Sequence, residues 1–148
     1  MKPIIRKAEA KDLAEIYQLV VELAIYEKEP EAVTATLEMY KEDFANQVFE
    51  AHVAEIDNQI VGMMVYYLTY STWKGKMLYL EDFVVQKAYR KHGIGQLLFD
   101  ALIEEGKRKQ VKLIKWQVLD WNEPVLAFYE KIGAAIERKW WNGKLFLS

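Results

Sequence analysis

The chain has 148 residues, 52% hydrophobic and 28% charged, the balance of a globular domain rather than of a disordered, collagen-like or disulfide-held chain. Twenty basic residues against 22 acidic ones leave a net charge of −2, so no positive excess drives binding to a phosphate backbone and a nucleic-acid partner is disfavoured. The lack of cysteine excludes disulfides, thiolate zinc sites, iron–sulfur clusters and an enzyme-thiol acyl intermediate.

In chain order, Ile4 and Ile5 read as a short strand. Leu13, Ile16, Tyr17, Val20, Leu23 and Ala24 then recur at steps of three and four, the stripe of a helix, with Glu9 and Asp12 a weak start signal. An acid-rich stretch from Tyr26 to Asp43 contains Pro30 and the helical spacing Leu37, Tyr40, Phe44. Phe49 to Ile56 and Gln59 to Tyr70 read as strands joined at Asp57-Asn58, residues that tolerate the left-handed backbone of a tight hairpin. Gln59 to Tyr70 includes the most apolar run, Ile60 to Leu68, far short of the roughly 20 residues that cross a bilayer.

Lys76 to Val85 follows as a third strand carrying the charged pair Glu81-Asp82 among apolar residues. Ile94, Leu97, Leu98, Ala101, Leu102 and Glu105 give a helix that opens at Gly93 and Gly95 and closes in the basic run Lys107-Arg108-Lys109. Val111 to Leu119 reads as a strand, and Asn122-Glu123-Pro124 starts a helix ending at Gly133. A turn at Asn142-Gly143 implies a terminal hairpin within Ala134 to Ser148. The expectation is a single α+β domain over residues 1–148, a mixed and mostly antiparallel sheet flanked by helices in the order βααβββαβαββ. The N-terminal Met1-Lys2-Pro3-Ile4-Ile5-Arg6 has no signal-peptide pattern, which reads as cytoplasmic with no membrane role. His52 and His92 are too few and too far apart for a metal site, so no metal is expected.

Chemistry concentrates in Arg90-Lys91-His92-Gly93-Ile94-Gly95, between a strand and a helix N-terminus. Main-chain N–H groups converging there suit an anion, and a plain strand-to-helix turn would use the same glycines. Arg90-x-x-Gly93-x-Gly95, preceded by Tyr79-Leu80-Glu81-Asp82-Phe83-Val84-Val85 and followed by Asp120-Trp121-Asn122-Glu123-Pro124 and Ala127-Phe128-Tyr129-Glu130-Lys131-Ile132-Gly133-Ala134, resembles the GNAT superfamily of N-acetyltransferases. With Glu22-Leu23-Ala24-x-Tyr26-Glu27 and Tyr79-Leu80-Glu81-Asp82-Phe83, the chain most resembles the diamine (spermidine/spermine) acetyltransferase group over nearly its whole length.

That resemblance implies the GNAT fold and acetyl-CoA as cosubstrate, its pyrophosphate held by Arg90, Lys91, His92, Gly93, Ile94 and Gly95. Its pantetheine arm would pair with the backbone of Phe83, Val84 and Val85, where a bulge after Glu81-Asp82 splays two parallel strands, and Asn122 and Pro124 would line the far side. Tyr129 would be the general acid for the leaving thiolate, although a tyrosine on a helical stripe also serves as a core aromatic. Glu81 would act as base, its pKa raised by desolvation, or bind the cationic amine, or be a hydrogen-bonded structural carboxylate. Tyr26, Glu27 and Glu81 would contact the substrate, with Lys115, Trp116 and Gln117 nearby.

The implied activity is acetyl transfer to a primary amine of a small molecule (a polyamine, diamine or lysine-like amine) by direct attack in a ternary complex. Its alternatives are a protein-lysine or N-terminal acetyltransferase and a catalytically weak acyl-CoA-binding regulator. One departure concerns specificity: Trp140-Trp141 or Asn142 stands where the diamine enzymes carry an acid, so polyamine preference does not follow. Nine Tyr and five Trp exceed what a core of this size absorbs, and with the family precedent they imply a homodimer.

Overall fold

The stripe of Leu13, Ile16 and Leu19 is buried in α1 (Leu13–Tyr26), which a 3-10 turn at Ala10–Asp12 introduces. The structure is a computed structural model and describes residues 2–148. It forms two compact units, Met1–Gln117 and Val118–Ser148.

The first unit continues from β1 (Ile4–Lys7) and α1 through α2 (Leu37–Ala45), β2 (Glu50–Ile56), β3 (Gln59–Ser71), β4 (Gly75–Val85), α3 (Ile94–Arg108) and β5 (Leu113–Trp116). The strands make one sheet in the order β1-β2-β3-β4-β5. The first three pairings are antiparallel and β4–β5 is parallel, the mixed sheet expected. The β2–β3 turn has Asp57 at φ 50 and Asn58 at φ 65, the paired left-handed conformations that match the twist of a tight hairpin. Thr36 caps α2, its Oγ1 accepting from Met39 N–H at 3.2 Å.

Each face of this sheet buries a different helix surface. On one, Leu13, Ile16 and Leu19 of α1 meet Ala51, Val53, Met63, Val65 and Val84, with Tyr40 and Phe44 of α2 at the margin. On the other, α3 buries Leu98, Phe99 and Leu102. A Cβ on Gly106 of α3 would meet Leu78 Cδ1 at 3.7 Å and Ile114 Cδ1 at 3.8 Å, which puts Leu78 and Ile114 on that face. Each fully buried Leu, Ile or Phe contributes about 1.5–3 kcal/mol.

Two sequence expectations are corrected. The strand read over Val111 to Leu119 is only Leu113–Trp116, because Val111 is used to close α3: Gln110 is left-handed at φ 61 and Val111 N–H donates to the Gly106 carbonyl at 3.0 Å. The terminal hairpin is absent, so the order ends βααβββαβα; among residues 134–148 no strand forms. An isolated two-stranded hairpin is marginal in water, and Trp140, Trp141, Leu145, Phe146 and Leu147 are all exposed, leaving it no core to fold on.

In the second unit, α4 (Glu123–Lys131) carries Pro124 in its first turn. Gly133 stops it as read, at φ 88. Its N–H donates to Glu130 and that of Ala134 to Tyr129, each at 3.0 Å, satisfying two of the last carbonyls. Among the described residues no helix is long and apolar enough to cross a membrane.

Candidate active site

The site begins with a register change. Val65 of β3 lies opposite Asp82 but Tyr66 lies opposite Leu80, so Glu81 is the extra residue of a β-bulge. A bulge reverses which face the following residues present. Before it, Leu78 faces α3; beyond it, Phe83 packs edge-on against Phe99 of α3 at 5.2 Å while Val84 joins the α1 core. Asp82, opposite Val65, therefore lies on the face covered by α1 and α2. The bulge sits at Glu81 itself rather than after the Glu81-Asp82 pair.

At this point β4 also leaves β5. The parallel ladder ends at Leu80↔Trp116, whereas β4 continues beside β3 to Val85. Phe83, Val84 and Val85 thus lie where the two parallel neighbours part.

Acids and tyrosines gather beside the bulge. Glu81 is exposed, and its Oε1 accepts the Tyr67 hydroxyl at 2.9 Å. Tyr67 stacks on Tyr79, with centroids 5.5 Å apart. Burial foremost, then the charges of Glu81 and Glu27, push the Asp82 carboxyl up to about 7. Burial also raises Glu27, which caps α1, and holds the phenols of Tyr67 and Tyr79 above their ordinary range, with Glu81 adding to both. Tyr40 of α2 is pushed up to about 12 by burial and then by Asp82. Such a face favours a cation, since each positive charge placed there relieves the mutual repulsion of the carboxylates.

The loop after β4 has a different character. Arg90 donates from Nε to the Val85 carbonyl at 2.8 Å, and its guanidinium lies over the Tyr26 ring, 5.9 Å from the centroid. Lys91 at φ 66 and Gly93 at φ 82 are both left-handed. Gly93 is the N-cap of α3 and offers no side chain to cap it, so the first-turn N–H groups of a 15-residue helix have no side-chain cap at this residue. A Cβ added to Gly93 would meet nothing within 4 Å. Arg90, Lys91 and His92 are exposed and Ile94 is buried. Uncapped donors, a helix dipole and two basic side chains fit a pyrophosphate.

The remaining residues divide between the faces and between the units. Trp116 turns to the α3 side, its ring 5.6 Å from Phe99, away from the acids. Lys115 pairs in register with Tyr79 and is exposed, as is Gln117 just past β5. In the second unit, Asn122 is buried at the start of α4 and makes no side-chain cap bond there. Tyr129 is the buried residue of that helix, its ring 5.8 Å from Phe128. Asp82, Tyr67 and Tyr40 were not singled out from sequence; the only signal was the acidic pair itself.

The parallel strands thus part beside a helix N-terminus that has no side-chain cap, with carboxylates at the parting. The sequence profile of the Acetyltransferase (GNAT) family matches residues 13–134. Thialysine N-epsilon-acetyltransferase of Bos taurus is 35% identical over 141 residues, spanning 88% of this chain and 83% of that protein. The protein of the same name from Caenorhabditis elegans is 31% identical over 118 residues, 80% of this chain and 74% of the other. The crystal structure of the F44R mutant of protein BH1408 from Bacillus halodurans superimposes with a TM-score of 0.81 at 26% identity, covering 97% of this chain and 99% of that one. The chain belongs to the GNAT acetyltransferase family, whose members take the acetyl group from acetyl-CoA.

Proposed function

We propose that this chain transfers the acetyl group of acetyl-CoA to a primary amine of a small molecule, a diamine, polyamine or lysine-like amine, by direct attack in a ternary complex. The observation that carries the reading is the acidic, tyrosine-lined face at the Glu81 bulge, because it suits an alkylammonium ion and disfavours an anionic acceptor. That relatives named for thialysine, a lysine analogue, match most of the chain supports a side-chain amine as the reacting group.

Acetyl-CoA, when bound, supplies an electrophilic thioester carbonyl. Arg90, Lys91, His92, Gly93, Ile94 and Gly95 hold its pyrophosphate, and the backbone of Phe83, Val84 and Val85, with Asn122 and Pro124, positions its pantetheine arm. Tyr26, Glu27 and Glu81 orient the ammonium ion, with Lys115 and Gln117 as further neighbours on that side and Trp116 close by in sequence but turned toward α3. An alkyl amine of pKa about 10.4 must lose a proton before it attacks, which costs about 4.6 kcal/mol at pH 7. Carboxylates that concentrate the cation and accept its proton lower that cost. Tyr129 holds a proton at Oη for the departing sulfur, a role that rests on the resemblance of residues 127–134.

In this proposal residues 1–148 act as one cytoplasmic acetyltransferase domain, without a metal. The chain works as a homodimer in which the exposed Trp141, Phe146 and Leu147 are covered. Light scattering at twice the 17.4 kDa chain mass would bear this out, and a monomer would refute it.

The activity is tested by free CoA release with spermidine, putrescine, lysine, thialysine and a lysine-containing peptide. Turnover with a small amine is expected. Turnover with the peptide alone, or none with any acceptor despite tight CoA binding, would contradict the proposal.

A further inference from the structure

We infer that Lys115 is a specificity-determining residue whose ammonium pairs with a carboxylate at the far end of the acceptor, so that the preferred substrate is an amino acid carrying a side-chain amine rather than a diamine or polyamine. This rests on the proposed amine acetylation and deepens it, naming the class of acceptor.

Alternation along β5 sets the direction of Lys115. Ile114 lies on the α3 side, where its Cδ1 would stand 3.8 Å from a Cβ on Gly106, and Trp116 packs on Phe99 of α3. Lys115, between them, therefore projects from the opposite face. That face carries Val65 in the α1 core and, two residues on, Tyr67. Register then makes a row across three strands: Tyr67 of β3 lies opposite Tyr79 of β4, which lies opposite Lys115 of β5.

The charges fall in a fixed order along β4. Lys115 stands beside Tyr79, one rung before the parallel ladder ends at Leu80↔Trp116. Glu81 follows at the bulge, and Phe83, Val84 and Val85, the segment proposed to position the acetyl donor, lie beyond it. An acceptor laid along this line with its ammonium ion at Glu81 presents its other end to Lys115. The two positions are one strand and two residues apart, about 5 Å across the sheet and about 7 Å along it. A short methylene chain with a charged group at each end spans that separation when extended.

The charge at the far end then decides between acceptors. A diamine or polyamine brings a second ammonium ion, which Lys115 repels, whereas a lysine-like amino acid brings a carboxylate, which Lys115 attracts. Lys115 is exposed, and among the described residues it forms no ion pair and no side-chain hydrogen bond. Glu81 is engaged by the Tyr67 hydroxyl at 2.9 Å instead. A cation left unneutralised beside carboxylates is free to make a charge-assisted hydrogen bond to a ligand anion. Two seats of opposite sign on one face are completed by a zwitterion and not by a dication.

The test sets a charge swap in the acceptor against a charge swap in the protein. 6-Aminohexanoate and cadaverine share one methylene chain and one reacting amine and differ at the far end, carboxylate against ammonium; lysine adds an α-amine to the first. kcat/KM is measured for all three with wild type, Lys115→Gln and Lys115→Glu, and acetyl-CoA affinity is followed by calorimetry. Wild type should prefer 6-aminohexanoate and lysine to cadaverine by about tenfold or more, a preference that shrinks with added salt because Glu81 and Lys115 are exposed. Lys115→Gln should lose about 5- to 10-fold on the two carboxylate acceptors, mainly in KM, and gain on cadaverine. Lys115→Glu should reverse the preference. A wild type that prefers cadaverine, or a ratio between acceptors that is the same in all three proteins, overturns the inference. So does an equal loss on every acceptor with acetyl-CoA affinity lowered in step, the signature of a disturbed fold rather than of a lost seat. A wild type that acetylates no amine overturns the proposed function along with it, whereas an active wild type whose ratio ignores position 115 overturns this inference alone.

Discussion

Tyr129→Phe is expected to lower kcat by about 10²-fold or more, within the range for a lost general acid, with acetyl-CoA affinity nearly unchanged. A phenol of pKa about 10 is only slightly less acidic than a thiol of about 8.5, so it can protonate a departing thiolate without a large uphill step. Tyr129 is buried in α4 beside Phe128, and Phe keeps its ring and volume while removing one oxygen, which separates the proton from the packing. Rapid-quench measurement of acetyl transfer reads the effect on chemistry directly. A wild-type rate in the variant removes Tyr129 from the mechanism.

Asp12→Ala is expected to destabilise the protein by about 3 kcal/mol or more, the usual cost of removing one member of a buried ion pair. Asp12 is buried at 3% exposure. It takes the Arg6 guanidinium through both oxygens, at 2.7 and 2.9 Å, and accepts Glu9 N–H at 2.7 Å. Arg6 keeps Glu55 at 3.2 Å, which limits the loss. The hydrogen bonds from Arg6 foremost hold the Asp12 carboxyl below its ordinary value. A carboxyl lowered by folding contributes stability that is complete above the unfolded pKa of about 3.9 and is lost as pH falls through the folded value. Urea unfolding should therefore show the full gap between wild type and variant at pH 7 and a shrinking one below about pH 4. Equal midpoints at pH 7 would show that the pair contributes nothing.

The sequence carried the helices and the sheet wherever a period repeats. Leu13, Ile16 and Leu19 mark α1, and Asp57-Asn58 fixed the β2–β3 turn because few other dipeptides take two left-handed residues in succession. Gly133 marked the end of α4 for the same steric reason. The end of the chain is not legible in the same way, because Trp140, Trp141, Leu145, Phe146 and Leu147 look like strand residues whether or not anything covers them, and here they are exposed.

The site was legible as a place more than as an arrangement. The glycine-bearing loop announces a helix N-terminus, and Glu81-Asp82 stands out in apolar text. A bulge leaves no trace in the sequence here: Leu78, Leu80, Asp82 and Val84 keep an unbroken period of two, while the faces they present switch between Leu80 and Asp82. Which of two adjacent carboxylates loses water depends on that switch. Burial by α1 and α2 is a tertiary fact, so Asp82 and its neighbour Tyr40 were not distinguished.

The most direct measurement is a calorimetric titration with acetyl-CoA, using Gly93→Val as the control. Gly93 is left-handed at φ 82, and its absent side chain leaves the approach to the α3 donors open; valine there strains the backbone and fills that approach. The account predicts saturable heat at one acetyl-CoA per wild-type chain and at least about tenfold weaker binding by the variant. No heat with the wild-type protein, or equal affinity in both proteins, would contradict it.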